Sequence, residues 1–252
     1  GIPNIGGIVG GGNSATRIEY CQNSGSISVD ILRINTLLSI GGIIGNGQGA
    51  MIRNCYNTGM VATTYTGSEQ GFLDYTHIGG IAGLNSNIYN CFNGAGISIA
   101  AWNADAGGLI GQSSGNTIYN SFNTGMVFGL LIPRIANVGG LVGYASNSNV
   151  YNSFNTGNCI GSAMTDDEYD RFRGFLIGNA ASSLHLYKCY YTSSVAIGNN
   201  VTSSEAIALS SLSTQAKLKS WYTNTSNWNT EHTWDFTNTW LLDSNYNSGY
   251  PY

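Results

Sequence analysis

The feature that most constrains this chain is a pair of motifs that recur in the same order. The first is a glycine pair, two apolar residues and a third glycine. It reads Ile5-Gly6-Gly7-Ile8-Val9-Gly10, then Ile40-Gly41-Gly42-Ile43-Ile44-Gly45 and Ile78-Gly79-Gly80-Ile81-Ala82-Gly83. Ala106-Gly107-Gly108-Leu109-Ile110-Gly111 and Val138-Gly139-Gly140-Leu141-Val142-Gly143 follow, with Gly174-Phe175-Leu176-Ile177-Gly178 as a worn final copy. The starts fall about 28 to 38 residues apart, a spacing that belongs to solenoids and arrays. The second motif follows each first one: Ile52-Arg53-Asn54-Cys55-Tyr56-Asn57-Thr58-Gly59, Ile88-Tyr89-Asn90-Cys91-Phe92-Asn93, Ile118-Tyr119-Asn120-Ser121-Phe122-Asn123-Thr124-Gly125 and Val150-Tyr151-Asn152-Ser153-Phe154-Asn155-Thr156-Gly157. The outer copies, Ile18 to Gly25 and Leu186 to Tyr191, are degenerate. End repeats face something other than an identical neighbour, so they are free to diverge.

Glycines interrupt every candidate helical run, whereas short strands closed by Asn-Thr-Gly turns fit both motifs. Two or three short strands cannot bury an apolar face alone, so the repeats must stack. Stacking in register at about 4.8 Å satisfies the backbone N–H and C=O groups from coil to coil. The expected fold is all-β: a parallel β-solenoid (β-helix) of about six coils, on the order of 30 Å long. The handedness bias of parallel crossovers favours a right-handed one. The solenoid is expected over residues 1–202. Residues 203–252 change character, with a short helical pattern from Leu209 to Leu218 and then Trp221, Trp228, Trp234, Phe236 and Trp240. They read as a C-terminal cap packed on the solenoid, because an open solenoid end invites edge pairing; the alternative is an aromatic platform for stacking sugars.

Stacking turns repeat positions into ladders. Asn54, Asn90, Asn120 and Asn152 share one, and Asn23, Asn57, Asn93, Asn123 and Asn155 another. Stacked amides can hydrogen-bond along such a ladder, and asparagine tolerates the left-handed backbone of tight corners. Tyr56, Phe92, Phe122, Phe154 and Tyr190 form an aromatic ladder. Strict alternation would turn the neighbouring Cys/Ser position outward, against the burial habit of cysteine. A bend at the asparagine would reconcile the two, and the sequence leaves both arrangements open. Cys21, Cys55, Cys91 and Cys189 occupy that one position, where Ser121 and Ser153 replace them. The site therefore asks for a small residue, and free thiols are expected, with a bridge between stacked neighbours such as Cys55 and Cys91 as the alternative. Cys159 stands outside the ladder.

Composition narrows the function. Only 9% of residues are charged, against about 25% in ordinary soluble domains, and the net charge is −4. Nine basic residues with no cluster do not suit a phosphate backbone, so no nucleic acid partner is expected. No apolar run approaches the roughly 20 residues that span a bilayer. The chain opens at Gly1 with neither an initiator methionine nor a signal peptide, and reads as an excised or processed piece of a larger protein.

The Gly-Gly-Leu-Val-Gly cores followed by Asn-Ser-Phe-Asn-Thr-Gly resemble the GLUG repeat of bacterial surface adhesins, found also in non-catalytic parts of some immunoglobulin A-cleaving metallopeptidases. The resemblance covers roughly residues 5–193. It implies an extracellular or cell-surface location and a role in adhesion or display, with a host surface protein or glycan as partner. It carries no catalytic residues across, and the zinc motif His-Glu-x-x-His of those peptidases is absent.

The remaining chemistry is sparse. His77, His185 and His232 have no second histidine at metal spacing, and no phosphate loop or nucleophile elbow occurs. No cofactor is expected. Asp166, Asp167, Glu168 and Asp170 form the one acidic cluster, a weak candidate for Ca²⁺ against the plainer reading of a solvated loop. The competing function is a carbohydrate-active enzyme, a polysaccharide lyase or hydrolase on a β-helix. Its available parts are Asp74, Asp105, Asp166, Asp170, Arg171 and Arg173. These lie in connections of unequal length, with no repeat-to-repeat pattern, so the non-catalytic reading leads. Irregular connections gather on one side of a stack. The expected ligand contacts are therefore Tyr65, Tyr75, Trp102, Tyr169 and Arg171, because aromatics and arginine anchor interfaces. The alternative is that these side chains fold back and shield the solenoid.

Overall fold

The computed structural model describes residues 3–31, 37–66, 75–101, 103–130, 135–161, 171–192, 197–201 and 206–252. Among the described residues the first five coils pass through four sheets, and the last through the first three. The first has six strands, Asn4–Gly6, Leu37–Gly41, Tyr75–Gly79, Asn103–Gly107, Ile135–Gly139 and Arg171–Gly174, stacked in chain order. The second begins with Val9–Gly11, Ile44–Arg53 and Ala82–Tyr89 and continues coil by coil to His185–Tyr187. The third consists mostly of two-residue strands such as Phe92–Asn93 and Phe122–Asn123. The fourth has five: Ile27–Ile31, Val61–Tyr65, Ile97–Ala100, Val127–Leu130 and Cys159–Gly161. Every named strand pairing is parallel and joins equivalent repeat positions: Ile40 lies opposite Ile5 and Ile78, and Phe122 opposite Phe92 and Phe154. The molecule is a parallel β-solenoid of about five turns.

The glycine motif is a corner and not one strand. Its first residues end a first-sheet strand, and its last ones begin a second-sheet strand. None of its glycines has a positive φ, so the requirement is for space. A Cβ on Gly79 would lie 2.0 Å from the Ala82 carbonyl oxygen, and one on Gly83 would lie 2.5 Å from the Ile40 nitrogen. A Cβ on Gly108 would meet the Asn123 amide carbon at 2.4 Å. That last contact explains why the two motifs travel together. The second asparagine of one motif fills the space that the second glycine of the other leaves.

These asparagines form a continuous ladder through the interior. Asn23 donates to Asn57 (2.8 Å), Asn57 to Asn93 (2.9 Å), Asn93 to Asn123 (2.8 Å) and Asn123 to Asn155 (2.9 Å). Each also holds the turn that follows it: Asn123 Nδ2 donates to the Gly125 carbonyl, and the Gly125 N–H donates to Asn123 Oδ1. The polar ladder separates two apolar compartments. One contains Ile52, Ile88, Ile118 and Val150 with Leu109, Leu141, Cys55, Cys91 and Cys189. The other sets Ile40, Ile78, Ala106 and Val138 of the first sheet against Val61, Ile97, Val127 and Cys159 of the fourth.

The preceding asparagines make the bend. Asn54, Asn90, Asn120 and Asn152 have φ of 53°, 52°, 48° and 47°. One left-handed residue resets the alternation, so Ile118 and Ser121 both face inward while Phe122 faces out. In the degenerate coils the same position is Tyr20 (φ 56°) and Lys188 (φ 51°), residues less suited to it. All five cysteines are free thiols. The exchange with serine has a direct cause: the Cys91 N–H donates to Ser121 Oγ at 3.1 Å, as the Ser121 N–H does to Ser153 Oγ at 3.2 Å.

The outward ladder Tyr56, Phe92, Phe122 and Phe154 stacks ring on ring, with Phe122 and Phe154 4.7 Å apart, and Tyr190 follows Phe154 in register. It is covered by residues 206–252. Ala206–Ala208 pairs with Cys189–Tyr191 as the last strand of the third sheet. The chain then returns along the outer face of that sheet, laying Trp221, Tyr222, Trp228, Trp234, Trp240 and Tyr250 over the phenylalanines. Asn120 donates to the Thr233 carbonyl, Asn152 to the carbonyls of Asn229 and His232, and the Asn229 N–H to Asn152 Oδ1. The bend-forming asparagines thus also anchor this segment.

Candidate functional site

The strands of the fourth sheet end along one edge of the solenoid, where Ile31 lies opposite Tyr65 and Ala100 opposite Leu130, the last residues of their strands. Tyr65 ends one such strand, half-buried against the second apolar compartment. Tyr75 begins the next first-sheet strand, half-buried with its ring 5.2 Å from that of His77. Burial, with Asp105 and Tyr144 adding to it, raises the Tyr75 phenol well above its ordinary range. Arg171 opens the last first-sheet strand, its backbone opposite Ala136. Trp102, Tyr169 and the acidic residues Asp166, Asp167, Glu168 and Asp170 lie outside the described residues. Tyr65 and Tyr75 both keep part of their surface open while packing on the solenoid, so each has a packing role whatever else it contacts.

Two further features lie on the outside. Tyr89, Tyr119, Tyr151 and Tyr187 are register neighbours on the outer face of the second sheet. Tyr89 and Tyr119 stack at 4.3 Å, Tyr151 and Tyr187 at 4.7 Å, and His232 lies flat on Tyr119 at 4.3 Å. Burial raises the phenols of Tyr89, Tyr119 and Tyr151 and lowers the basicity of His232. The Ile-Tyr-Asn and Val-Tyr-Asn repeats carried this row in plain view, but a stacked tyrosine in a repeat reads first as packing. The second feature is a cavity of about 230 Å³ in the C-terminal segment. Tyr222, Trp228 and Trp234 form its wall, and Thr225, Thr230 and Thr233 are on its rim. The Tyr222 and Trp228 rings are nearly parallel, 5.8 Å apart, and Trp234 sits steeply against both.

A buried polar row crosses the first sheet. Ser39, His77, Asp105 and Asn137 are register neighbours on successive strands. His77 Nδ1 is 2.9 Å from Asp105 Oδ2, and Asn137 donates to Asp105 Oδ1 at 2.6 Å. A serine, a histidine and an aspartate in line have the composition of a hydrolytic trio. Their exposures are 0%, 3% and 1%, so no polymer chain reaches them. Of the other residues weighed for catalysis, Arg173 is exposed on the last first-sheet strand, while Asp74, Asp166 and Asp170 lie outside the described residues. Among the described residues no cluster of His, Cys, Asp and Glu has the makings of a metal site. No helix among them is long and apolar enough to cross a membrane.

Stacked four-sided coils and ladders at fixed positions define a solenoid repeat protein. Within that class, the family model of the GLUG motif matches residues 36–63 and 136–159. Each match follows one coil from the first sheet, through the glycine corner and the asparagine bend, into the fourth. Curated proteins and solved structures give no match to the chain.

Proposed function

We propose that this chain is a non-catalytic adhesion and display module of a bacterial surface protein, working outside the cell, where a rigid solenoid presents its connections to a host protein or glycan. The observation that carries this reading is the common edge on which the fourth-sheet strands end at register-matched positions, each followed in the sequence by a connection of different length. Such a scaffold absorbs changes in loop length without disturbing the stack, which is how repeat proteins build binding faces. The GLUG motif supports the same reading. So does the depth of the Ser39–His77–Asp105 row, which gives that trio no path to a substrate.

The test is binding of the purified chain to arrays of host-surface proteins and glycans, together with incubation on soluble polysaccharides followed by viscosity. Retained binding without loss of viscosity is the expected result. A fall in viscosity would overturn the proposal and put an enzyme in its place. Surface labelling of intact cells checks the location, and a signal obtained only after lysis would count against it.

A further inference from the structure

We propose that an open groove at the last coil is a subsite for an acidic sugar, a hydroxylated ring with one carboxylate, which rests on the binding reading above and names its ligand class. The groove, of about 670 Å³, lies between the paired strands Cys189–Tyr191 and Ala206–Ala208 and the short helices Leu212–Gln215 and Lys219–Thr223. That volume falls within the roughly 300–1,000 Å³ of small-molecule sites. Lys188 is the one charged side chain among the described lining residues, and it is only half-buried. Its ammonium has no partner among the described residues. Beside it are the half-buried Gln215 amide and the exposed Ser220 hydroxyl, which likewise have no partner among the described residues, and the exposed Asn224. Amides and hydroxyls both donate and accept, as sugar hydroxyls require. Half-buried Ile207 and Leu209 add apolar surface for the C–H groups of a ring. A single ammonium matches one carboxylate, whereas a phosphate is better held by several cations or an arginine fork.

An independent observation singles out Lys188. It occupies the bend position, with φ 51°, where the two preceding coils have Asn120 and Asn152. Those asparagines suit the left-handed backbone, and their amides hold the C-terminal segment through the carbonyls of Thr233, Asn229 and His232. Lys188 does neither: its side chain is poorly suited to that backbone and gives no hydrogen bond to the segment. Packing therefore does not account for a lysine here. A residue held in a sparsely populated conformation without a structural return points to function, and what lysine brings is reach and a charge at the groove.

The experiment is ligand-observed saturation-transfer NMR on the full chain with the methyl glycosides of glucuronic, galacturonic and N-acetylneuraminic acid, with methyl glucoside as the neutral comparison and N-acetylglycylglycine as a carboxylate without a sugar. At least one acidic glycoside is expected to give a saturable signal stronger than either comparison compound. Lys188→Asn should weaken it by about 10- to 100-fold, the worth of a charge-assisted hydrogen bond, while raising the urea midpoint of the chain. Lys188→Arg, which keeps the charge, should retain most of the binding. A purely structural lysine would not separate affinity from stability in this way. The inference is overturned if no acidic glycoside binds, if methyl glucoside or N-acetylglycylglycine binds as well, or if Lys188→Asn binds as the wild type does. Array binding to host proteins or neutral glycans alongside absent acidic glycoside binding would sink the subsite and leave the display reading standing. Acidic glycoside binding with no array binding would do the reverse.

Discussion

The interior asparagine ladder makes a quantitative demand. Asn123 is fully buried at the middle of it and takes part in four hydrogen bonds: from Asn93, to Asn155, to the Gly125 carbonyl, and from the Gly125 N–H. Asn23 begins the ladder in the first coil, where only Asn57 stacks on it, and makes three. A buried neutral hydrogen bond contributes about 1 kcal/mol net, and more is lost where a partner stays buried and unpaired. Asn123→Ala should therefore cost on the order of 4 kcal/mol. Asn23→Ala should cost roughly 1–2 kcal/mol, because water reaches the groups it abandons at the end of the stack. The assay is urea unfolding followed by far-ultraviolet circular dichroism, comparing midpoints at unchanged slope. A loss below about 1 kcal/mol for Asn123→Ala, or equal losses at the two positions, would refute the claim that the ladder stabilises the coils from within.

Other outcomes follow from single positions. Lys188 holds the left-handed backbone that its repeat equivalents assign to asparagine, so Lys188→Asn should raise the unfolding free energy by about 0.5–1 kcal/mol, read as a higher urea midpoint at unchanged slope; a lowered midpoint would count against the bend as a source of strain. Cys55→Ser and Cys91→Ser should fold normally, since Ser121 and Ser153 already serve at that position. A large drop in melting temperature, reproduced by reducing the wild type, would mean that a disulfide matters after all. Burial pushes the Cys159 thiol up to about 12 and the Tyr222 phenol well above its ordinary value. Both groups keep their protons in the folded chain after the unfolded chain has begun to release them. Stability should thus be insensitive to these groups below about pH 9 and fall from there towards pH 12, by up to about 1.4 kcal/mol per pH unit for each group. Thermal unfolding across that range checks this, and Cys159→Ser should soften the decline; an identical decline in the variant would show that the thiol does not contribute.

Much of the fold was legible before any coordinates, and the reason is repetition. A position that stacks on itself must suit its own copies, so the glycine triplets and paired asparagines report the coil spacing and the parallel stacking directly. The same logic reached the hydrogen-bonded Asn ladder and the tolerance of the Cys/Ser position. It did not reach the fourth sheet, where Val61–Tyr65, Ile97–Ala100 and Val127–Leu130 share β-propensity but no glycine or turn signature. Nor did it reach the polar row, because Ser39, His77, Asp105 and Asn137 are four different side chains at one position. The candidate site was the least legible part. Tyr65 and Tyr75 flank the edge that the loop-length argument picked out, whereas the cavity walled by Tyr222, Trp228 and Trp234 lies in the non-repeating segment, which has no copies to compare.

What the sequence by itself determined is the coil: its length, the positions at which glycine and asparagine recur, and the parallel stacking of one copy on the next. These follow from repetition, since a residue that stacks on its own copies must suit them in every coil. What only the tertiary structure decided is direction. One left-handed residue, such as Asn120 with φ 48°, turns Ser121 into the core and Phe122 out of it. The outward phenylalanines leave an apolar stripe along the flank of the middle coils, and that stripe draws the tryptophan-rich C-terminal segment along the side of the solenoid, where the asparagines of the same bend hold it. Which face of a short strand meets the core depends on the bend before it, and which surface a cluster of aromatics covers depends on what the rest of the molecule leaves exposed; neither is written in the order of residues alone.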